Sequence, residues 1–318
     1  MNQTIQQSIN SKTTSNHSNN IVNRLCSNWS TRATVRNGEF VETPEPFFDP
    51  DMKDFPEYML PFNKHPQYQN AALEKRQLVE TLSWISWNKR VVDTEELVIS
   101  PALIAIMNGD TDLKITGVDR MAIRQTLVDE YFHSHMHEIA VGITVRGRDI
   151  SEDIVSSLNR PACVYRTYKK AAESLETDWE KDIARLAWCV VGELSIYEFL
   201  GKVSADPNIQ PASSSLLKLH ERDEAAHASL IGQIMRDHFH EFGDSQKQCF
   251  VKHLPLAMDG FSQEDWVVWQ DILELAEIDD AKQIVFDMKH DSKTPDNIPL
   301  LRSYQKVESF CSDLNIKL

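Results

Sequence analysis

The sequence predicts an all-α protein built on a four-helix bundle, and three observations support this fold class. Apolar residues recur at helical spacing through most of the chain from residue 70 onward. No segment alternates polar and apolar residues for long enough to indicate a convincing strand. The 318 residues include only 10 glycines, few for a nucleotide-binding α/β fold, and neither GxGxxG nor GxxxxGK[ST] occurs.

Two segments of distinct composition precede the helical part. Residues 1–20 are polar and low in complexity, so we expect a disordered tail followed by a single domain over 21–318. Residues 41–66 contain six prolines with aromatic side chains between them. Proline prevents a continuous helix here, whereas the aromatic residues favour burial. We therefore expect an extended N-terminal arm that wraps the surface of the domain.

The helical part divides at turn-forming residues such as Asn108-Gly109-Asp110 and Asp206-Pro207-Asn208. Four long helices are expected to form the bundle core, near 71–99, 118–144, 178–202 and 213–241. Additional helices are expected near 150–157, 164–174, 246–254, 263–288 and 297–314.

Composition excludes several classes of function. The net charge of −15 argues against nucleic acid or an anionic membrane as the main partner. The five cysteines are far apart and form no CxxC pair, which fits a reducing cytoplasm and provides no thiolate metal site. No apolar run of roughly eighteen residues and no basic-then-apolar N-terminus occurs, so we expect a cytoplasmic protein without a membrane span or signal peptide.

The pattern D-E-x-x-H occurs twice, at 129–133 and 223–227, in both cases within a predicted long helix. Residues three apart share a helix face, so each Glu–His pair can bind one metal ion. Two such pairs with one inward glutamate on each remaining helix form the ligand set of ferritin-like di-iron and di-manganese bundles. The candidate ligands from the two copies are Glu130, His133, Glu224 and His227.

The two remaining long helices should each supply a single glutamate. Glu193 lies within the strongly apolar run 186–200, where a carboxylate is costly unless something binds it. Glu198 falls on a different face and can reach solvent. On the first long helix, the apolar stripe passes through Glu95 more directly than through Glu96. We therefore choose Glu95, with Glu96 as an alternative.

A third histidine on the fourth long helix extends the motif to His220-x-x-x-Glu224-x-x-His227. These residues share one face, and the two histidines are about 10.5 Å apart along the helix axis. Glu224 lies between them and could bridge two metals. Chance alone readily produces one solvent-facing Glu–His pair, but not two pairs combined with lone glutamates in apolar stripes. We therefore favour a site with seven ligands.

Neighbouring polar residues have open interpretations. A metal-bound histidine usually donates its other N–H to an acceptor, so Asp129 and Asp223 could accept it across the bundle. A solvent-facing aspartate is an equally good interpretation for each. His135 points away from His133, and His137 shares its face and could support a ligand or face the substrate. We leave both out of the site.

The motif with its added histidine resembles the p-aminobenzoate N-oxygenase family of di-iron enzymes. Trp87-Asn88 before Glu95, Val98–Pro101 after it, and Arg24-x-x-x-x-Trp29 are similar to the family as well. The resemblance runs from about residue 22 to the end. It implies a non-haem di-iron centre that uses O₂ to oxidise an aromatic amine at nitrogen. The ligand types also allow Mn as the alternative metal.

Further properties follow from the resemblance alone. The amine would pass through hydroxylamine and nitroso stages towards a nitro group, often in antibiotic biosynthesis. A homodimer, a small aromatic amine substrate and an unidentified electron donor are implied. Trp87 stands where the family suggests tyrosine, so the substrate could differ from p-aminobenzoate. Arg90 and Arg302 are candidate anchors for a substrate carboxylate, although a surface arginine is favoured for Arg302.

Two alternatives stay open at this point. The same metal core could hydroxylate carbon, or the protein could be a non-catalytic metal-binding bundle. The arm and the helices after residue 245 favour a closed substrate pocket over metal storage.

Overall fold

The computed structural model describes residues 21–40, 48–290 and 304–318, and these residues form helices without a single strand. The all-α prediction is therefore confirmed. The predicted tail at 1–20, residues 41–47 of the proline-rich segment and Arg302 lie outside the described residues. Within the described ranges, no helix combines the length and the apolar character that a bilayer crossing requires.

The helices are numbered in chain order. They are α1 (21–27), α2 (Trp29–Arg32), α3 (Thr34–Asn37), α4 (Pro66–Gln69), α5 (Leu73–Thr94), α6 (Ser100–Asn108), α7 (Gly117–Arg148), α8 (Glu152–Ser157), α9 (Cys163–Ala172), α10 (Asp178–Ser204), α11 (Pro211–His238), α12 (Asp244–Ser262), α13 (Trp266–Leu275), α14 (Ala281–His290) and α15 (Gln305–Asp313). A five-residue π-helix, Glu95–Ile99, joins α5 to α6. Short 3₁₀ helices occupy Glu57–Met59 and Phe239–Glu241.

Four long helical segments form the bundle. α10 packs against α11, α11 against α7, and α7 against α5, while the π-helix and α6 pack back against α10. Two apolar clusters fill the interior, and each segment passes from one cluster to the other. The first and fourth segments run in one direction between the clusters, and α7 and α10 run in the other, so helices that pack together are antiparallel. α7 and α10 are parallel, and the long crossover between them contains α8 and α9. One long crossover is typical of ferritin-like bundles.

The first long helix continues beyond the predicted end near residue 99. Helical structure runs to Asn108, because Pro101 occupies the first turn of α6, where its missing N–H costs no hydrogen bond. The π-helix immediately before it carries one extra residue in the turn, and such insertions are frequent at functional sites. The sequence pattern contains no signal for this insertion.

The C-terminal half differs from prediction in two places. The single helix expected over 263–288 is two helices, α13 and α14, because Glu277 and Asp280 adopt φ values of 53° and 58° in the turn between them. Such left-handed backbone ends a helix. The helix predicted over 246–254 is longer, since α12 continues to Ser262 with Pro255 inside it.

The described part of the N-terminal arm is packed onto the bundle as expected. Phe55, Leu60 and Phe62 are at most 3% exposed, although only Glu57–Met59 is helical between residues 48 and 65. The guanidinium of Arg148 on α7 donates to Asp54 Oδ2 at 2.9 Å and holds the arm against that helix. Burial of aromatic residues thus offsets the missing helical hydrogen bonds.

Candidate metal centre

The structure brings the seven predicted ligand side chains together between the two apolar clusters of the bundle. All seven are at most 6% exposed: Glu95, Glu130, His133, Glu193, His220, Glu224 and His227. The π-helix supplies the first, α7 the next two, α10 the fourth and α11 the last three. Glu96, the alternative to Glu95, is exposed and lies outside this cluster.

One group of ligand atoms comes from Glu95, His133, His220 and Glu224, and these atoms all lie within 4.8 Å of one another. His220 Nε2 is 3.1 Å from Glu224 Oε1 and 3.7 Å from Glu95 Oε1. His133 Nδ1 is 3.3 Å from the same Glu224 oxygen. The four donors therefore converge on one position.

A second group comes from Glu130, His133, Glu224 and His227, again within 4.8 Å. His227 Nδ1 is 2.8 Å from Glu130 Oε1 and 3.4 Å from Glu224 Oε1. Glu193 Oε2 lies 3.9 Å from the same nitrogen. Because Glu224 belongs to both groups and the second oxygen of Glu130 lies 3.2 Å from His133 Nδ1, the two positions are adjacent.

Unsatisfied buried atoms show that this donor set fits metal ions. Both oxygens of Glu193 lack a hydrogen bond among the described residues. Buried polar atoms are rarely left this way, since desolvation without a partner costs free energy. Metal–nitrogen and metal–oxygen bonds of about 2.1 Å place two ligand atoms of one ion roughly 3–3.5 Å apart. The separations of 2.8 Å and 3.4 Å around His227 match that spacing.

The four carboxylates of the cluster form two pairs, one with raised and one with lowered pKa values. Burial raises the pKa of Glu95 and Glu193 well above the usual range, and the charges of Glu130 and Glu224 raise both further. Burial also opposes the charged form of Glu130, yet its contacts with His227 and His133 lower its pKa to about 2. The pKa of Glu224 is lowered in the same way, against its own burial.

The negative charges of the carboxylates act on the pKa values of the neighbouring histidines. Burial alone would lower the pKa of His133 and His227, but the surrounding carboxylates raise both well above the ordinary value. Bound metal ions would replace these protons as the positive charge, because a ligating imidazole must be deprotonated at the bonded nitrogen.

Asp129 and Asp223 lie behind these two histidines. Asp129 Oδ2 is 3.1 Å from His227 Nε2, and Asp223 Oδ2 is 3.5 Å from His133 Nε2. Each aspartate thus faces the histidine of the other D-E-x-x-H copy. Burial would raise the pKa of Asp223, but His133, His227 and Thr34 lower it to about 2.

The short helices α2 and α3 cover the aspartates, a contribution that sequence reasoning missed. Trp29 Nε1 donates to Asp129 Oδ1 at 2.9 Å. Arg32 Nη1 donates to Asp223 Oδ1 at 3.1 Å, and the backbone N–H of Thr34 donates to Asp223 Oδ2 at 3.0 Å. The family-like spacing from Arg24 to Trp29 pointed to this region, but no local pattern indicates Arg32 or Thr34.

His137 and Asn88 also belong to the surroundings of the cluster. His137 Nε2 is 2.9 Å from His220 Nδ1, and His137 Nδ1 is 2.6 Å from Asn88 Oδ1. Burial and neighbouring histidine charges lower the pKa of His137 well below its usual value. Its position one turn after His133 on the same face was the available signal, and sequence analysis left it out.

A cavity of about 140 Å³ lies against the cluster. Three carboxylates of the cluster form part of its wall: Glu95, Glu193 and Glu224. Most of the remaining wall is apolar or aromatic and includes Phe55, Met59, Val91, Ile99, Phe199 and Phe261. Trp87 and Arg90 also line the cavity, and Arg90 Nη2 donates to the Phe261 carbonyl at 2.9 Å.

Comparisons with known proteins agree with this site. Residues 15–315 match the model of a family described as P-aminobenzoate N-oxygenase AurF. The chain is also similar to a 4-aminobenzoate N-oxygenase of Streptomyces thioluteus, with 32% identity over 294 residues that cover 92% of this chain and 85% of that protein. The resemblance noted from the sequence is thereby confirmed. The chain belongs to the p-aminobenzoate N-oxygenase AurF family.

Proposed function

We propose that this protein is a di-iron oxygenase that oxidises an aromatic amine at nitrogen. The observation that carries the proposal is the contact between the buried Glu/His cluster and the apolar cavity, whose wall includes Glu95, Glu193 and Glu224. An engineered apolar cavity of roughly 150 Å³ binds benzene. A cavity of about 140 Å³ therefore has room for one aromatic ring beside the metals.

The geometry supports an assignment of ligands to two metals. Glu95, His133 and His220 would hold one ion, and Glu193 and His227 the other. Glu130 and Glu224 lie between the two positions and would contribute donor oxygens there. A set of carboxylates and imidazoles suits Fe or Mn. Iron is favoured because the family and the similar Streptomyces protein are both described as N-oxygenases.

Bound ferrous iron would supply electrons to O₂, and this chain's residues would prepare the substrate. The aromatic lining excludes water and holds the ring, so that the amino group faces the carboxylate wall. Arg90 is our candidate anchor for a substrate carboxylate because it lines the same cavity. Arg302 is proposed only from the resemblance.

The first oxidation must balance in atoms and electrons. An arylamine, O₂, two electrons and two protons give an arylhydroxylamine and water. One oxygen atom forms the new N–O bond, and the other leaves as water. Further oxidation proceeds through the nitroso stage towards nitro. An external reductant must supply the electrons. The proposal of a homodimer is separate and rests on the resemblance.

The metal site is tested by anaerobic Fe(II) titration with metal analysis. We expect two irons per wild-type chain and loss of at least one in Glu193→Ala, since Glu193 has no other partner for its buried oxygens. Glu198→Ala is the matched control, because this carboxylate lies on the same helix but accepts a hydrogen bond from Tyr197 at 2.6 Å. Equal iron in all three proteins would contradict the ligand assignment.

The reaction is tested by exposing the di-ferrous protein to ¹⁸O₂ with p-aminobenzoate and other arylamines. We expect hydroxylamine, nitroso or nitro products that carry the label on nitrogen. Label on a ring or aliphatic carbon would indicate a hydroxylase instead. Iron oxidation with every amine unchanged would favour a non-catalytic metal-binding protein.

A further inference from the structure

We infer that Asn88 and His137 act as positioning residues that set the tautomer of His220 and thereby present its Nε2 to a metal. The inference rests on the proposed metal site. The three side chains are 0% exposed and form one hydrogen-bonded line. Asn88 Nδ2 donates to the Trp84 carbonyl at 2.7 Å, and Asn88 Oδ1 meets His137 Nδ1 at 2.6 Å. His137 Nε2 then meets His220 Nδ1 at 2.9 Å.

The line has one consistent direction. A backbone carbonyl can only accept, so the amide atom beside the Trp84 carbonyl is the NH₂ group of Asn88. The opposite amide atom is therefore the oxygen, which also only accepts. His137 Nδ1 must then carry a hydrogen. The ring is fully buried and its two nitrogens meet an amide oxygen and an imidazole, and an uncharged imidazole with its hydrogen on Nδ1 has a lone pair on Nε2. His220 Nδ1 must donate to that lone pair.

This direction determines which nitrogen of His220 is free to bind a metal. With the proton on Nδ1, Nε2 directs a lone pair towards Glu224 Oε1 at 3.1 Å and Glu95 Oε1 at 3.7 Å. An isolated His220 could instead place a proton on Nε2 and donate it to Glu224, and that tautomer cannot bind a metal through Nε2. The line from Asn88 removes this competing arrangement.

His220 differs in this respect from the other two ligand histidines. His133 and His227 turn their outer nitrogens towards the carboxylates Asp223 and Asp129. A carboxylate only accepts, so it holds a proton on the facing nitrogen directly. His137 can donate or accept at either nitrogen, so it cannot impose a direction alone. The fixed amide of Asn88 supplies that direction.

Two substitutions at one position separate this role from simple packing. Asn88→Leu keeps the branched shape and the number of side-chain heavy atoms but removes the acceptor for His137. Asn88→Asp, as the neutral acid, can still donate to the Trp84 carbonyl and accept from His137. Ser204→Ala is the control, since this buried hydroxyl also donates to a carbonyl of its own helix, at 3.0 Å, without contact to a ligand.

The direct measurement is long-range ¹H–¹⁵N NMR of the full chain labelled at histidine, before metal is added. We expect the proton of His220 on Nδ1 in wild type, Asn88→Asp and Ser204→Ala, and on Nε2 in Asn88→Leu. A proton on Nε2 of wild-type His220 overturns the inference. So does an unchanged tautomer in folded Asn88→Leu. The wild-type spectrum decides even if that variant fails to fold.

Anaerobic Fe(II) titration supplies the second readout. Loss of a residue that orients a ligand typically costs 10–100-fold in metal affinity. We expect a loss of about this size at one of the two positions in Asn88→Leu, and less than about threefold in Asn88→Asp. Equal losses in both variants would indicate packing and contradict the inference. Absence of Fe(II) binding by wild type would refute the proposed metal site, whereas the tautomer would still be decided by NMR.

Discussion

The two faces of the Glu/His cluster are built in opposite ways. On the closed face, Asp129 and Asp223 stand behind His227 and His133, and Trp29, Arg32 and Thr34 hold the two aspartates. Every one of these groups contributes a directed polar contact. Such a wall fixes the orientation of the histidine rings, so this face is suited to holding metals in place.

On the open face, carboxylates meet an apolar cavity. Neither oxygen of Glu193 has a hydrogen bond among the described residues, and Ile99 and Phe261 line the same space. Carboxylates without fixed partners can change their coordination as a metal changes charge. Under the proposed function, affinity for metal and access for substrate belong to different sides of one cluster, so they should be separable by mutation.

The largest effect is expected from a substitution on the closed face. Asp223→Asn should weaken Fe(II) binding by about 10–100-fold, because the amide holds the outer N–H of His133 less strongly and the ion pair between Arg32 and Asp223 is lost. Thermal unfolding with Fe(II) reports the change, since ligand at 100 times its Kd stabilises a protein by about 2.7 kcal/mol.

Asp54→Asn is the control for that experiment. Asp54 is 1% exposed and paired with Arg148 at 2.9 Å, but it belongs to the arm rather than the cluster. Asp54→Asn should lower the free energy of unfolding and leave Fe(II) affinity unchanged. If both variants bind Fe(II) as wild type does, the closed face has only a structural role.

A smaller effect is expected on the open face. In Gly192→Ala, the new Cβ would lie 3.0 Å from Ile99 Cδ1 and from Phe261 Cζ, both in the cavity wall. We expect unchanged Fe(II) binding and a KM for p-aminobenzoate raised by about tenfold, the lower end for one methylene in an apolar pocket. Steady-state kinetics with metal analysis tests this.

Gly232→Ala provides the matched comparison. Its Cβ would meet Arg236 Nη1 at 3.1 Å and Leu194 Cδ2 at 3.2 Å, and neither residue is part of the cavity wall. Its KM should equal that of wild type. A similar rise in KM for both alanine variants would mean that the effect comes from helix packing and not from the cavity.

The smallest expected effect concerns the shape of the open face. Trp87 lines the cavity and stacks on Trp84 with ring centroids 5.4 Å apart. Trp87→Phe should enlarge the space and shift the ratio of kcat/KM for two-ring over one-ring arylamines by roughly threefold. Trp188→Phe removes the same ring from a buried position outside the cavity wall and should leave the ratio unchanged. Equal ratios in all three proteins would exclude Trp87 from substrate selection.

The two single glutamates show how far sequence reasoning extends. Glu193 lies in α10, a regular helix over Asp178–Ser204, so the 3.6-residue period identifies the inward carboxylate directly. Glu95 begins the π-helix, whose extra residue shifts the stripe. Sequence reasoning therefore left Glu95 and Glu96 open, whereas the structure buries the first and exposes the second.

The sequence alone determined the all-α fold, the residue types of the cluster and the family, because helix periodicity and motif spacing are local properties. Only the tertiary structure decided which histidine each aspartate faces, that Arg32 reaches Asp223 across 191 residues of chain, and that Asn88 and His137 stand behind His220. It also decided that the carboxylates border a cavity. The physical reason is that these contacts join separate helices, and their geometry depends on how the whole bundle packs.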